Sequence, residues 1–297
     1  MRVRVIVLYC LFVYILAWSL QFAAIRMVAN LESSAAAPWL AAGMFIPALV
    51  ALAFVWAVPA TRNYLLWRPT WRMFPLLLVA VAVPALFGFG TLAICEAAGW
   101  GKSGWFAFAT DGVTISGGGW LLGSGEQAWP KFLANVAVTA IVYAAISALA
   151  AMGEELGWRG FLQGPLIDKL GTTGGIVSLG LIWSFWHLPL LLAGYNYPQT
   201  PVLGALVLFP IELVSFSFFL GWLTIKSNSF WPAAMAHGAF NSIGVGVPSN
   251  LHMAMPDIYR NLAQLGVTVL FGLLFWLLLW SRDRNRPHNV APLSMMG

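Results

Sequence analysis

Residues 153–160 read Gly153-Glu154-Glu155-Leu156-Gly157-Trp158-Arg159-Gly160, and they close an almost uncharged run of about twenty residues, the length that crosses a bilayer. Two adjacent carboxylates and a guanidinium at the end of such a run are expensive in a membrane. A soluble core does not need this set, and a plain anchor does not tolerate it without cause. Two later apolar runs each carry one histidine, His187 and His237. The pattern predicts an all-α polytopic membrane helix bundle whose spans converge on a hydrolytic site inside the bilayer.

Composition points the same way. The chain has 297 residues, 60% hydrophobic and only 8% charged, with a mean hydropathy of +0.82, far from the roughly one-quarter charged balance of a soluble domain. The net charge of +5 is read through topology, because lysine and arginine collect on cytoplasmic loops. No basic patch with interleaved aromatics suggests nucleic acid. Cys10 and Cys95 both fall inside apolar runs, which argues against a structural disulfide and gives a thiol nucleophile little support. The first apolar run is too long for the core of a signal peptide and is expected to stay as a first helix.

Taken in order, eight runs have spanning length: Val5 to Val28, Trp39 to Ala60, Pro75 to Cys95, Phe132 into Glu154-Glu155, Ile176 to Ala193, Val202 to Ile225, Phe230 to Val247, and Leu262 to Trp280. A Gly- and Trp-rich segment, Glu96 to Lys131, interrupts them and reads as an ordered or re-entrant cap on the non-cytoplasmic side. The whole chain, 1–297, is read as one integral membrane domain. With a cytoplasmic N-terminus, Arg2, Arg4, Arg62, Arg68, Arg72, Arg159, Lys169, Lys226, Arg282, Arg284 and Arg286 lie inside and only Arg26, Lys102, Lys131 and Arg260 outside. That bias predicts both termini cytoplasmic. His237 then lies seven residues beyond Phe230 and His187 eleven beyond Ile176, depths of roughly 10 and 16 Å at 1.5 Å per residue. The carboxylates reach the same leaflet from the other direction, so all three elements can meet in its cytoplasmic half, around a cavity open to water.

Glu155 and Arg159 are four apart, share a helix face and can pair; alone, that pair reads equally well as a clasp on a helix end. Glu154 is rotated by about 100° from Glu155, which leaves one carboxylate to be held by arginine and one to face a cavity as general base for water. His187 closes Trp183-Ser184-Phe185-Trp186-His187, before Leu188-Pro189. A lone histidine in an aromatic helix is more often a hydrogen-bonded core residue than a ligand. His237 and Asn241, again four apart, suit either a metal with its supporting amide or donors to an oxyanion. It is the set on three spans at compatible depth that favours function. Other intramembrane chemistries fit poorly. No His-Glu-x-x-His is present, Asp111, Asp168, Asp257 and Asp283 are expected in loops or tails, and Gly123-Ser124-Gly125 lacks the Gly-x-Ser-x-Gly spacing.

These residues carry a family resemblance. Glu154-Glu155-Leu156-Gly157-Trp158-Arg159 resembles the Glu-Glu-x-x-x-Arg motif of the CPBP intramembrane proteases, which take in type II CAAX prenyl endopeptidases and Abi-type bacteriocin-immunity proteins. His187 matches the second motif, Phe-x-x-x-His, with Trp183 where phenylalanine is usual. His237-Gly238-Ala239-Phe240-Asn241 matches the third, His-x-x-x-Asn/Asp, behind Ser229-Phe230-Trp231-Pro232. The resemblance covers roughly Ala144 to Val247. It implies an eight-helix bundle in which Glu154, assisted by His187, activates water. His237 and Asn241 then stabilise the oxyanion, and Glu155 with Arg159 braces the site. Glu154, His187 and His237 are also zinc ligands by type, but glutamate-activated water needs no metal, and the metal-free route is ranked first. The implied substrate is a peptide or membrane protein, lipidated or not, cut near the cytoplasmic surface of what composition suggests is a bacterial membrane.

Two other classes stay open: a transporter, since buried charges also mark ion pathways, and a non-catalytic scaffold or immunity factor. Glu212, alone in the sixth run, is read first as hydrogen-bonded to a neighbouring helix or near the outer surface, and second as a cavity group that binds a substrate amine or adds a ligand. His252 and His288 are assigned nothing.

Overall fold

The structure, a computed structural model, describes residues 1–285; Arg286 and His288 lie outside the described residues. The chain is an all-α polytopic membrane bundle. Its helices are α1 (Val3–Met27), α2 (Ala37–Ala57), α3 (Met73–Ala97), α4 (Trp129–Glu155), α5 (Gln163–Trp186), α6 (Leu188–Leu192), α7 (Pro201–Leu203), α8 (Phe209–Ser227), α9 (Trp231–Ala239), α10 (Val245–Ser249) and α11 (Ile258–Arg284). π-Helical turns join α4 to α5 (Leu156–Leu162), α7 to α8 (Gly204–Leu208) and α9 to α10 (Phe240–Gly244).

Among the described residues six helices are long and apolar enough to cross a membrane, rather than eight. The expected fourth and fifth spans form one 58-residue run, Trp129–Trp186, turned at Gly171, whose φ of 71° lies in the left-handed region. The expected seventh span is helical without interruption through α9, a π turn and α10, residues 231–249, but His237, Gly238, Asn241, Ser242, Gly244 and Gly246 dilute its apolar character and it is not among the six. Asp168, expected in a loop, is exposed on the part of α5 before Gly171.

The chain divides into two compact units: one of Met1–Leu76, Ala150–Ala234 and the residues from Thr268 onward, the other of Leu77–Leu149 and Met235–Val267.

In the first unit small residues set the helix spacing. With no hydrophobic drive between helices in lipid, close van der Waals approach must hold them. A Cβ on Gly153 would stand 2.7 Å from the Met44 carbonyl oxygen, and one on Gly157 would stand 2.5–2.7 Å from Pro47. The Gly153-x-x-x-Gly157 face therefore lies directly on the backbone of α2, where the Tyr9 hydroxyl of α1 donates to the Pro47 carbonyl at 3.1 Å. Gly180 similarly seats α5 against α8, where a Cβ would stand 2.6 Å from the Val214 Cα. Replacing Gly157 by alanine is expected to destabilise the protein by about 1–3 kcal/mol, the usual cost of overpacking. Unfolding in mixed detergent micelles measures this, and an unchanged midpoint would refute the close α4–α2 approach. The segment between α2 and α3 is tied to the same turn: the Leu66 N–H donates to the Gly160 carbonyl at 2.8 Å, and the Phe230 N–H to the Leu66 carbonyl at 3.2 Å.

The second unit holds the interrupting segment, and that segment is ordered by short strands that the sequence reading did not resolve. β1 (Gly101–Ser103) pairs antiparallel with β5 (Leu251–Met253); β2 (Phe106–Phe108), β3 (Gly112–Ile115) and β4 (Gly125–Ala128) make a three-stranded antiparallel sheet. Its turns need glycine: Gly118, Gly123 and Gly125 have φ of 103°, 73° and 76°. Phe106, Val113, Ile115, Leu122 and Phe132 pack with Leu92 and Ala144 into this unit's core.

Candidate active site

Glu154, Glu155 and Arg159 are all buried, with Glu155 and Arg159 at 0% exposure. The α4 helix ends at Glu155 and the π turn follows at once, so the motif straddles a change of helical pitch. Such turns recur at functional sites because the inserted residue re-aims side chains. Arg159 is consumed in bracing. Its Nη1 donates to Glu155 Oε1 at 3.0 Å and its Nη2 to the Ser217 hydroxyl of α8 at 2.9 Å. The guanidinium carbon lies 4.3 Å from the centre of the Trp183 ring. A planar fork with two donors and a stackable face does all three; an ammonium could not.

Glu154 is turned towards α5 and accepts a hydrogen bond at 2.6 Å from the Trp183 indole. The two neighbouring carboxylates differ in their hydrogen bonds: Glu155 accepts from the Arg159 guanidinium, whereas Glu154, expected to face a cavity, is buried and accepts from the indole, with the same guanidinium near enough to feel its charge. The charge of Glu154 also reaches the loop after α6. Burial first, and that carboxylate second, push the Tyr195 phenol above its ordinary range.

His187 caps α5. Helix α5 stops there because Pro189, with no N–H and a ring in the way of the preceding turn, cannot continue it. That leaves carbonyls at the helix end needing donors. The Trp183 carbonyl takes one from His187 Nδ1 at 3.0 Å. A carbonyl only accepts, so Nδ1 is the donor of this bond. The half-buried imidazole is walled by Trp186 and Phe209, at ring-centre distances of 4.5 and 5.0 Å.

Two further carbonyls of that helix end, those of Ile182 and Trp186, are held by α1, to which the sequence assigns nothing. Tyr14 Oη donates to the Ile182 carbonyl at 2.7 Å, and Trp18 Nε1 and Gln21 Nε2 donate to the Trp186 carbonyl at 3.2 and 2.9 Å. Tyr14, Trp18 and Gln21 follow one face of α1 at spacings of four and three, a polar stripe in an apolar span that could have been found. Ser217 offers only a serine amid Phe216 and Phe218, which is a weaker signal.

His237 and Asn241 belong to the second unit. His237 is buried, near the end of α9. Beside it Gly238 packs on α4, where a Cβ would stand 2.5 Å from the Ala148 nitrogen. Asn241 is exposed and lies in the π turn, so the straight-helix spacing read from sequence ends at Ala239. Glu212 is hydrogen-bonded, but to a loop rather than to a neighbouring helix: its Oε2 accepts at 3.0 Å from the hydroxyl of Tyr197, between α6 and α7. Tyr197 fits there because a Cβ on Gly204 would stand 2.3 Å from its ring. Burial, then the Glu212 carboxylate, raise the Tyr197 phenol well above its usual value. Among the described residues no three His, Cys, Asp or Glu side chains are grouped to hold a metal ion.

Comparison with known proteins bears on these positions. Residues 135–243 match the model of the type II CAAX prenyl endopeptidase Rce1-like family, a stretch that contains Glu154, Glu155, Arg159, His187, His237 and Asn241. Over 49 residues the chain is 39% identical to CAAX prenyl protease 2 of Methanococcus maripaludis; that alignment spans 16% of this chain and 18% of the archaeal protein.

Proposed function

We propose, from the premise that residues 135–243 carry a type II CAAX prenyl endopeptidase Rce1-like domain, that this chain is an intramembrane endopeptidase working by carboxylate-activated water. The observation that carries the reading is the difference between two buried neighbours: Glu155 is hydrogen-bonded to Arg159, while Glu154 is hydrogen-bonded to the indole of Trp183, whose carbonyl holds His187.

In this mechanism Glu154 removes a proton from water and the hydroxide forms a bond to the scissile carbonyl carbon. His187 orients the water through Nε2. The oxyanion of the tetrahedral intermediate is assigned to His237 and Asn241. Collapse breaks the C–N bond as the proton held by Glu154 passes to the leaving amine. Glu155 and Arg159 keep the π turn in place. No step runs through a metal ion. The substrate class is a peptide or protein C-terminus delivered from the bilayer, with a lipidated CAAX-type end first in line. Both termini, and the mouth of the site, are assigned to the cytoplasm on the arginine and lysine distribution.

The test is cleavage by the purified protein in detergent of prenylated and unprenylated C-terminal peptides, with and without a chelator, against His187→Ala. A loss of about 100-fold is expected in the variant, the range for one acid–base group. Unchanged cleavage in His187→Ala would remove the histidine from the mechanism. A wild type that cuts nothing in the panel would shift weight to the transporter and scaffold classes.

A further inference from the structure

We infer that Trp183 is a positioning residue of this site, setting Glu154 through its indole N–H and His187 through its backbone carbonyl. This goes beyond the hydrolytic mechanism proposed above and rests on it.

Four contacts converge on Trp183. Its Nε1–H donates to Glu154 Oε2 at 2.6 Å, its carbonyl accepts from His187 Nδ1 at 3.0 Å, and its ring face carries the Arg159 guanidinium at 4.3 Å. The indole is itself fixed by near-parallel packing on Phe216 of α8, centres 6.1 Å apart at 28°, next to the serine that receives Arg159. Trp183 and Glu154 are each only 2% exposed, so little water competes for the indole proton. An indole nitrogen donates and cannot accept, which fixes the direction of the bond: the carboxylate is always the acceptor. Phenylalanine at this place would keep the ring and the carbonyl but supply no donor. The tryptophan therefore adds something packing does not, a constraint on which way the Glu154 carboxylate points. The carbonyl of the same residue holds the Nδ1 edge of His187. General base and histidine are thus registered to one side chain and one peptide unit, which is how a site holds reacting groups within a fraction of an ångström.

The experiment compares wild type, Trp183→Phe, and a protein with benzothienylalanine at 183, which keeps the bicyclic ring but replaces N–H by sulfur. Each is made alone and in the Glu154→Gln background. A misplaced reacting group costs up to about 100-fold, so kcat is expected to fall about 10- to 100-fold in both replacements while KM stays within about twofold. In the Glu154→Gln background, replacing Trp183 should cost nothing further, because the residue acts through Glu154. The indole proton resonance that disappears in Trp183→Phe is expected far downfield in wild type and to move upfield in Glu154→Gln.

Undiminished kcat in the sulfur isostere, a loss confined to KM, losses that add to that of Glu154→Gln, or an indole proton indifferent to Glu154→Gln would each overturn the inference. If Trp183→Phe fails to fold, the isostere carries the test. The two readings fail separately: a wild type without peptidase activity overturns the hydrolase and this inference with it. Activity lost in Glu154→Gln but intact in both Trp183 replacements overturns this inference alone.

Discussion

Replacing Arg159 by methionine is expected to destabilise the protein by about 3–5 kcal/mol, because it leaves a buried carboxylate without its cation. Arg159 and Glu155 are both at 0% exposure and 3.0 Å apart, so water cannot compensate for the lost partner. The Ser217 hydroxyl and the Trp183 ring lose their contacts with the guanidinium at the same time. Methionine approximates the volume of the arginine stem, so the effect reports charge and hydrogen bonding rather than a large cavity. The decisive comparison is the double variant Glu155→Leu, Arg159→Met. Removing both charges removes the uncompensated one, and most of the stability is expected to return. Unfolding free energies in mixed micelles would read both. A single variant as stable as wild type would show that the pair contributes little. A double variant no better than the single would show that the arginine matters through packing alone. Arg159→Lys should rescue poorly, since one ammonium cannot serve Glu155, Ser217 and the Trp183 face together.

This pair shows how far sequence carries. A spacing of four, in a run whose apolar length fixed its setting, was enough to predict a clasp, and the clasp is there. A rotation of about 100° per residue also separates Glu154 from Glu155, but the open cavity expected at Glu154 is not what surrounds it: that carboxylate is buried and hydrogen-bonded. The partners were harder to read. Trp183 reads as packing beneath a histidine; only three-dimensional placement shows its N–H on a carboxylate. Tyr14, Trp18 and Gln21 support α5 across more than 160 residues of sequence, at separations of 168, 168 and 165, and no local pattern names the carbonyls they serve. The number of spans was less legible for a related reason. Hydropathy measures apolar length, and it cannot say that Gly171 turns a 58-residue run or that π turns sit inside the helical runs at Leu156–Leu162, Gly204–Leu208 and Phe240–Gly244. The strands between Gly101 and Ala128 are three or four residues long, too short for an alternation of period two to stand out.

Glu154→Gln is expected to lower kcat for peptide cleavage by about 1,000- to 10,000-fold, the upper part of the range for removing a positioned acid–base group and beyond what loss of His187 should cost. The substitution is a narrow one. Glutamine keeps the length of the side chain and an oxygen that can still accept from the Trp183 indole, so the fold and the α4–α5 contact should survive with an unfolding midpoint close to wild type. What it cannot do is take a proton from water. KM should change little, because the carboxylate acts on the water and not on the bound chain. This sets Glu154 apart from its neighbour: loss of Glu155 should appear first in stability, loss of Glu154 almost wholly in turnover. A Glu154→Gln protein that cleaves within tenfold of wild type would end the carboxylate mechanism. A variant that loses activity only by unfolding would place Glu154 beside Glu155 as a brace, and the search for the group that activates water would move to His187 and its Nε2.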